Sequence, residues 1–213
     1  EVTEQGNLLT EERTANPVVK GLAVFCSYLF HPLFLIAWVT LYLLYLNDSV
    51  FLGADSFDRL KVFLRVFSTS VFLPLVTVLL LKGLGFIQSI QLHTQRERIV
   101  PYIACITFFF WSYYVSKTLN DPVALRAFLL ALFVCACAAL IMNNYFKVSM
   151  HGMGAGALFA FFVFLLFTNK VGDSLSLTAA FFCAAIICTS RLIAGRHHPF
   201  EIYFGFFWGC VLQ

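Results

Sequence analysis

The feature of this sequence that most limits its fold is a series of long apolar runs separated by short polar segments. A run of roughly 17 to 25 apolar residues is long enough to cross the hydrocarbon core of a bilayer as a helix. Such runs recur from about residue 29 onward in a chain of 213 residues that is 61% hydrophobic and contains 26 phenylalanines. A soluble domain of this size would have to cover that apolar surface from water. We therefore predict an all-α integral membrane protein.

The apolar runs predict a polytopic transmembrane helix bundle of about six to seven spans, in one domain covering residues 1–213. The expected spans are 29–46, 60–81, 99–115, 123–142, 153–168, 175–189 and a last one from Pro199 to the C-terminus. The first carries His31-Pro32 at its head, where proline is tolerated in the first helical turn. Residues 18–28 are expected to form an interfacial helix. The polar, acidic tail 1–17 is unlike a signal peptide, so we expect none.

Charge and cysteine usage exclude several functional classes. The net charge of +3 is spread over the polar segments, so it offers neither a nucleic-acid surface nor a strong polybasic lipid anchor. All seven cysteines fall in apolar runs, which argues against a disulfide framework.

Arg65 and a kink-forming Pro74 lie inside the second span, and a charge at that depth is expected to have a partner.

The polar residues are not distributed evenly between the two sides of the predicted bundle. If each run crosses once, segments 82–98, 143–152 and 190–201 emerge on the same face, together with the N-terminus. The five histidines lie on that face or at its membrane boundary: His31, His93, His151, His197 and His198. Ionisable groups are costly to hold near a bilayer, so this gathering predicts a functional site. His31, His93 and His198 are interpreted as boundary residues beside it.

The third of these segments, SRLIAGRHHPFE, has a regular spacing of polar residues. Ser190-Arg191 is followed after five residues by His197 and after three more by Glu201. This resembles the third signature of the type 2 phosphatidic acid phosphatase family, the membrane relatives of the vanadium haloperoxidases, in which an aspartate usually takes the last place. Here a glutamate, one methylene longer, stands at that place.

The other two segments match the family less closely. KVSMHG resembles the second signature, usually Pro-Ser-Gly-His, with Ser149 and His151 at the matching places. The first signature, a lysine followed after six residues by Arg-Pro, is absent as written. QRERIVP supplies Arg96 and Arg98, with no lysine at the required distance. The two-span insertion between the first and second segments resembles divergent bacterial members.

The resemblance implies a catalytic mechanism that the chemistry of phosphate esters also favours. His197 is the candidate nucleophile, which would form a phosphohistidine. Glu201 would hold its imidazole in the reactive tautomer. His151 would be the general acid for the leaving oxygen and later the base for water.

Phosphate binding is assigned to basic groups and hydroxyls on the same face. The candidates are Arg191, Ser190, Ser149 and either Arg98 or Arg96. Arginine suits this role because its planar fork binds phosphate oxygens in pairs. Arg196 is interpreted as a headgroup contact, and Lys147 either touches phosphate or extends toward the membrane surface. We expect no metal and no cofactor, since the neighbouring arginines oppose a divalent cation.

These assignments predict a membrane lipid phosphatase that hydrolyses a phosphate monoester or a pyrophosphate. Its partners would be a lipid phosphate substrate and membrane lipids, and nucleic acid is not expected. Phosphatidate, phosphatidylglycerol phosphate, polyprenyl pyrophosphates and lipid A phosphates all fit, and the oligomeric state stays open. A lipid phosphotransferase with the same site, an anion transporter and a non-catalytic relative are the alternatives. The resemblance favours a bacterial cytoplasmic membrane with the site on the extracytoplasmic face.

Overall fold

The computed structural model describes residues 16–47, 49–89, 92, 94–168, 174–195 and 198–213, and within these ranges the chain is helical without any strand. The α-helices are α1 (Pro17–Leu29), α2 (Pro32–Leu41), α3 (Ser56–Phe67), α4 (Leu73–Gly83), α5 (Gln95–Thr118), α6 (Val123–Asn143), α7 (Met150–Phe167), α8 (Ser174–Ile193) and α9 (Pro199–Leu212). A π-helical segment, Tyr42–Leu46, continues α2, and another, Ser68–Phe72, joins α3 to α4. The predicted all-α fold is confirmed.

Length and composition allow five of these helical stretches to cross a membrane. They are Ser56–Gly83, Gln95–Thr118, Val123–Asn143, Met150–Phe167 and Ser174–Ile193. A sixth is reached if α1 and the helix Pro32–Leu46 count as one span, although the pair is bent by 61°. Helix α9 is apolar but has only 14 residues, about 21 Å of helix. The predicted six to seven spans therefore hold only with the bent pair counted, and seven only with α9 as well.

The bend between α1 and α2 lies at the predicted helix start. His31 is the N-cap of α2, with its Nδ1 accepting the backbone N–H of Leu33 at 3.3 Å, and Pro32 is the first helical residue. Proline fits there because the first N–H groups of a helix have no intrahelical acceptor. The segment expected to lie at the interface is the separate helix α1, which packs against α8.

Close packing of α7 on α9 brings the last third of the chain together. The contact contains Gly152 and Gly156 on α7 and Gly205 and Gly209 on α9. A Cβ atom at Gly152 would lie 2.5 Å from the carbonyl oxygen of Ile202, and one at Gly205 would lie 2.7 Å from that of Ser149. Only glycine permits backbones to approach this closely, as is common between membrane helices. Gly152 and Gly156 are therefore the α7 residues that allow the two backbones to approach closely.

The order of these contacts sets the relative direction of the two helices. Gly152 faces Ile202, and Gly156, one turn later, faces Phe206, one turn later on α9. Both positions advance together, so α7 and α9 run parallel and begin at the same end of the bundle. The glycine stripe therefore aligns the helix starts that carry the second and third segments.

At the opposite end of the bundle, Arg65 has the partner that its depth in the sequence predicted. Its guanidinium donates to the carboxylate of Asp121, in the turn between α5 and α6, and forms a salt bridge with it. Asp121 also accepts the hydroxyl of Ser116 at 2.6 Å and is only 7% exposed. This ion pair joins α3 to the α5–α6 turn.

The glycine contact predicts different effects for two alanine substitutions on α7. Gly156→Ala would overlap the backbone of Phe206 and push the helices apart, costing about 1–3 kcal/mol of stability or more. Gly154→Ala is the matched control, because its Cβ would meet Leu35 Cδ1 at an ordinary 3.4 Å. Thermal unfolding in detergent should show a clear loss for Gly156→Ala and little change for Gly154→Ala. Equal losses would contradict a specific close approach at Gly156.

The Arg65–Asp121 pair predicts a second stability difference. Asp121→Asn leaves the Arg65 charge without its counter-charge, so we expect a loss of about 3 kcal/mol. Asp58→Asn is the control, because the Asp58–Lys61 pair is 57% exposed on both sides and such pairs contribute at most about 1 kcal/mol. The same thermal measurement compares the two variants. If Asp121→Asn melts like the native protein, the pair does not stabilise the bundle.

Candidate active site

The first turns of α7 and α9 are joined by a backbone hydrogen bond. The N–H of Ser149, the N-cap of α7, donates to the carbonyl oxygen of Glu201 in the first turn of α9 at 3.2 Å. The Ser149 hydroxyl oxygen accepts the N–H of Gly152 at 3.3 Å, and the residue is fully buried. Ser149 and Glu201, predicted site residues from different signatures, are therefore held side by side by a backbone hydrogen bond.

The first segment lies at the start of α5, and this helix begins earlier than predicted. Thr94 and Glu97 form a capping box, with the N–H of Thr94 donating to Glu97 at 3.1 Å and the N–H of Glu97 donating to Thr94 at 3.3 Å. Helix α5 begins at Gln95, four residues before the predicted span. Thr-x-x-Glu is a capping signal that the sequence itself contains. Both candidate arginines of this segment lie on the first turns of the helix.

The structure distinguishes these two arginines. Arg98 is 8% exposed, and its guanidinium donates to the carbonyl oxygens of Leu92 at 2.9 Å and Val148 at 3.4 Å. Val148 directly precedes Ser149, so Arg98 contacts the second segment. Arg96 is exposed. Of the two predicted alternatives, Arg98 is the one placed with the other site residues.

Lys147 also belongs to this group of charges. Burial lowers the pKa of its ammonium group; the positive charge of Arg98 lowers this pKa further, the Glu201 carboxylate opposes the change, and Arg191 adds to the lowering. These interactions place Lys147 near charged residues from the two other segments: Arg98 in the first, and Arg191 and Glu201 in the third. From the sequence alone the role of Lys147 stayed open, and only its position next to the second signature pointed to the site.

The end of α8 brings the Ser-Arg pair of the third segment. Ser190 is 5% exposed, and Arg191 is half-buried in the last turn of the helix. A cation is favourable at this position because the C-terminus of a helix carries partial negative charge. The guanidinium of Arg191 acts electrostatically on both Lys147 and His31. The described part of the chain thus gathers three cations, Arg98, Lys147 and Arg191, near the carboxylate of Glu201.

His151 lies in the first turn of α7 and contacts the bent helix pair. Its Nε2 is hydrogen bonded to the carbonyl oxygen of Ser27 at 3.1 Å. The His31 ring packs nearly perpendicular to it, with centroids 5.2 Å apart. The sequence predicted His31 at the membrane boundary of this face, but its contact with His151 and the role of Ser27 were not predicted. No local pattern marks a contact between residues 27 and 151.

Three predicted residues lie outside the described part of the chain: His93, Arg196 and the candidate nucleophile His197. His198, which directly follows His197, is exposed and precedes Pro199 at the start of α9. Glu201 follows in the first turn of that helix. The role of His197 therefore stays a prediction that rests on the spacing of the third signature.

A metal site would need donors that the described residues do not group together. Among them, no three His, Cys, Asp or Glu side chains are arranged to hold an ion. The groups that do converge are cations, hydroxyls and helix N-termini. Such an arrangement binds an anion with several oxygens, such as a phosphate group.

Comparison with known protein families supports the same region. Residues 142–213 match the family model of the PAP2 superfamily. The matched segment runs from the end of α6 through α9 and contains the second and third signatures, so the family resemblance is confirmed there. No curated protein matches the chain, and no solved structure matches it.

The burial of Arg98 predicts a difference between the two arginines of α5. Arg98→Gln should lower phosphate release from a lipid phosphate by about 100-fold or more, because it removes a charged donor that is predicted to bind the phosphoryl oxygens. Arg96→Gln should leave turnover near that of the native protein. Both variants would be compared at equal amounts of folded protein, judged by thermal unfolding. A larger loss for Arg96→Gln would transfer the role to that residue.

Proposed function

Because residues 142–213 match the family model of the PAP2 superfamily, we propose that this protein is a membrane phosphatase that hydrolyses a lipid phosphate monoester or pyrophosphate. The reaction proceeds through a phosphohistidine and uses no metal ion. One observation carries the proposal: Arg98, Lys147 and Arg191 come from separate segments and converge beside His151 and Glu201.

The charge of this cluster suits a phosphate group. Three cations near one carboxylate leave a net positive charge, which a phosphate dianion would neutralise. The first turns of α7 and α9 add backbone N–H groups, which favour anions at helix N-termini. The two arginines can each bind two phosphoryl oxygens, and the ammonium group of Lys147 adds a compact charge. Lys147 thereby supplies a basic group that the altered first segment lacks.

In the proposed reaction, His197 attacks phosphorus and forms a P–N bond while the P–O bond to the lipid breaks. His151 gives its proton to the leaving lipid oxygen, so the lipid product departs as an alcohol or as a lipid monophosphate. Water then attacks phosphorus, transferring a proton to His151, and the P–N bond breaks to release inorganic phosphate. Glu201, four positions after His197, stabilises the positive charge that develops on the imidazole during transfer.

The cationic groups take the part that metal ions play in other phosphatases. They lie around the expected phosphoryl oxygens and neutralise the negative charge of the transition state. A divalent cation in the same space would be repelled by the two arginines and the lysine, and Glu201 is the single carboxylate in the described cluster.

The position of the cluster supports a lipid as the substrate. Arg98, His151 and Arg191 lie at the ends of helices that are long and apolar enough to cross a membrane. A lipid headgroup is presented at that level while its tails stay in the hydrocarbon. In this proposal the protein resides in a bacterial cytoplasmic membrane and the site opens on the extracytoplasmic face, as the family resemblance implies.

The test is phosphate release by purified protein in detergent micelles. The panel contains phosphatidate, phosphatidylglycerol phosphate and a polyprenyl pyrophosphate. We expect release from at least one lipid, no loss with EDTA, and inhibition by vanadate. His197→Gln should abolish turnover, whereas the adjacent control His198→Gln should reduce it modestly, since only His197 has the spacing of the third signature.

Three outcomes would contradict parts of this proposal. Loss of activity in EDTA that a divalent metal restores would exclude the metal-free mechanism. A dead His198→Gln variant with an active His197→Gln variant would move the nucleophile by one residue. The absence of release from every lipid phosphate would overturn the hydrolase itself.

A further inference from the structure

The break between α1 and α2 provides a hydrogen-bond acceptor for the candidate general acid. Helix α1 ends at Leu29, so the carbonyls of its last turn lack their usual intrahelical donors. The N–H of His31 donates to the carbonyl of Tyr28 at 3.2 Å. In an uninterrupted helix this N–H would bind the carbonyl of Ser27. That carbonyl instead lies 3.1 Å from His151 Nε2.

This contact identifies the proton on one nitrogen of His151. A backbone carbonyl oxygen can only accept, so Nε2 must be the donor and must carry a proton. The proton exchanged with the leaving oxygen and with water is then the one on Nδ1. A carbonyl that holds one ring nitrogen of a functional histidine determines its tautomer in this way.

His31 contacts the same ring from the side. Its own Nδ1 accepts the Leu33 N–H as the cap of α2, so this nitrogen carries a lone pair and the ring is neutral. The neutral ring lies at 88° to that of His151, with 5.2 Å between centroids. It limits rotation of His151 about its side-chain bonds.

We propose that His31 is a positioning residue for His151: its ring, together with the Ser27 carbonyl, orients the imidazole so that Nδ1 carries the exchanging proton. His31 and Ser27 lie outside the matched segment 142–213, so the proposal adds the bent helix pair to the active site. It rests on the proposed function, because it assigns a position to the acid of that reaction.

Three substitutions separate the ring contact from the helix cap. His31→Phe keeps an aromatic ring beside His151 but loses the cap acceptor. His31→Asn keeps a cap acceptor but loses the ring, and His31→Ala loses both. Because a displaced catalytic group slows the chemical step, kcat should fall about 10- to 100-fold in the Asn and Ala variants at nearly unchanged KM. His31→Phe should retain kcat within about threefold of the native value, since the ring contact persists.

The melting temperature should group the three His31 variants differently from kcat. The melting temperature should fall in the Phe and Ala variants, which lack the cap, and stay unchanged in the Asn variant. Phe34→Leu is the control for loosening the bend, because Phe34 packs against the His31 ring with centroids 6.3 Å apart and is 39% exposed. It should leave kcat unchanged.

The outcomes distinguish this inference from the function on which it rests. Native kcat in His31→Asn, or a kcat in His31→Phe as low as in His31→Ala, overturns the positioning role while the phosphatase proposal stands. A drop of kcat in Phe34→Leu equal to that in His31→Asn also overturns it, since any loosening would then suffice. If the native protein releases no phosphate from any lipid of the panel, both proposals fall.

Discussion

The close parallel contact between α7 and α9 is the constraint on which the rest of the candidate site depends. Its glycines permit a backbone approach that a single methyl group would prevent at Gly152 or Gly205. The contact places the starts of the two helices side by side, where the N–H of Ser149 reaches the carbonyl of Glu201. A wider separation would move His151 and Glu201 apart and break this link. The packing of these glycines therefore also brings the candidate site residues together.

The two ends of the bundle use charge in different ways. Arg65 and Asp121 form a salt bridge at one end, and the Ser116 hydroxyl donates a hydrogen bond to the same carboxylate. This ion pair holds α3 against the α5–α6 turn and leaves no net charge for a ligand. At the other end, the described cluster carries three cations and one carboxylate. Concentrating like charges near a membrane costs free energy, which an anionic substrate would offset. This asymmetry supports the end that carries the three cations as the proposed site.

Local signals in the sequence predicted several helix boundaries correctly. His31-Pro32 marks the start of α2, and Pro199 marks the start of α9. The Thr94–Glu97 capping box was equally readable, yet the span prediction began at residue 99, because apolar runs report the membrane-embedded length and not the polar first turn of a helix. The kink predicted at Pro74 stays a prediction: a π-helical segment, Ser68–Phe72, lies just before this proline, and Ser56–Gly83 forms one continuous helical stretch.

The sequence by itself determined that the chain is helical and membrane-embedded, since that follows from apolar length, and it determined the signature spacings around His151, Arg191 and Glu201. The tertiary structure alone decided that Arg98 and not Arg96 meets the second segment, that Lys147 joins the cluster, and that α1 contacts His151. The physical reason is the lipid that surrounds the helices. A helix such as α7 is apolar on every side, because lipid and protein neighbours are both apolar, so periodicity carries no record of which face is turned inward. Only the packing of one helix on another determines that rotation, and with it the contacts between distant segments.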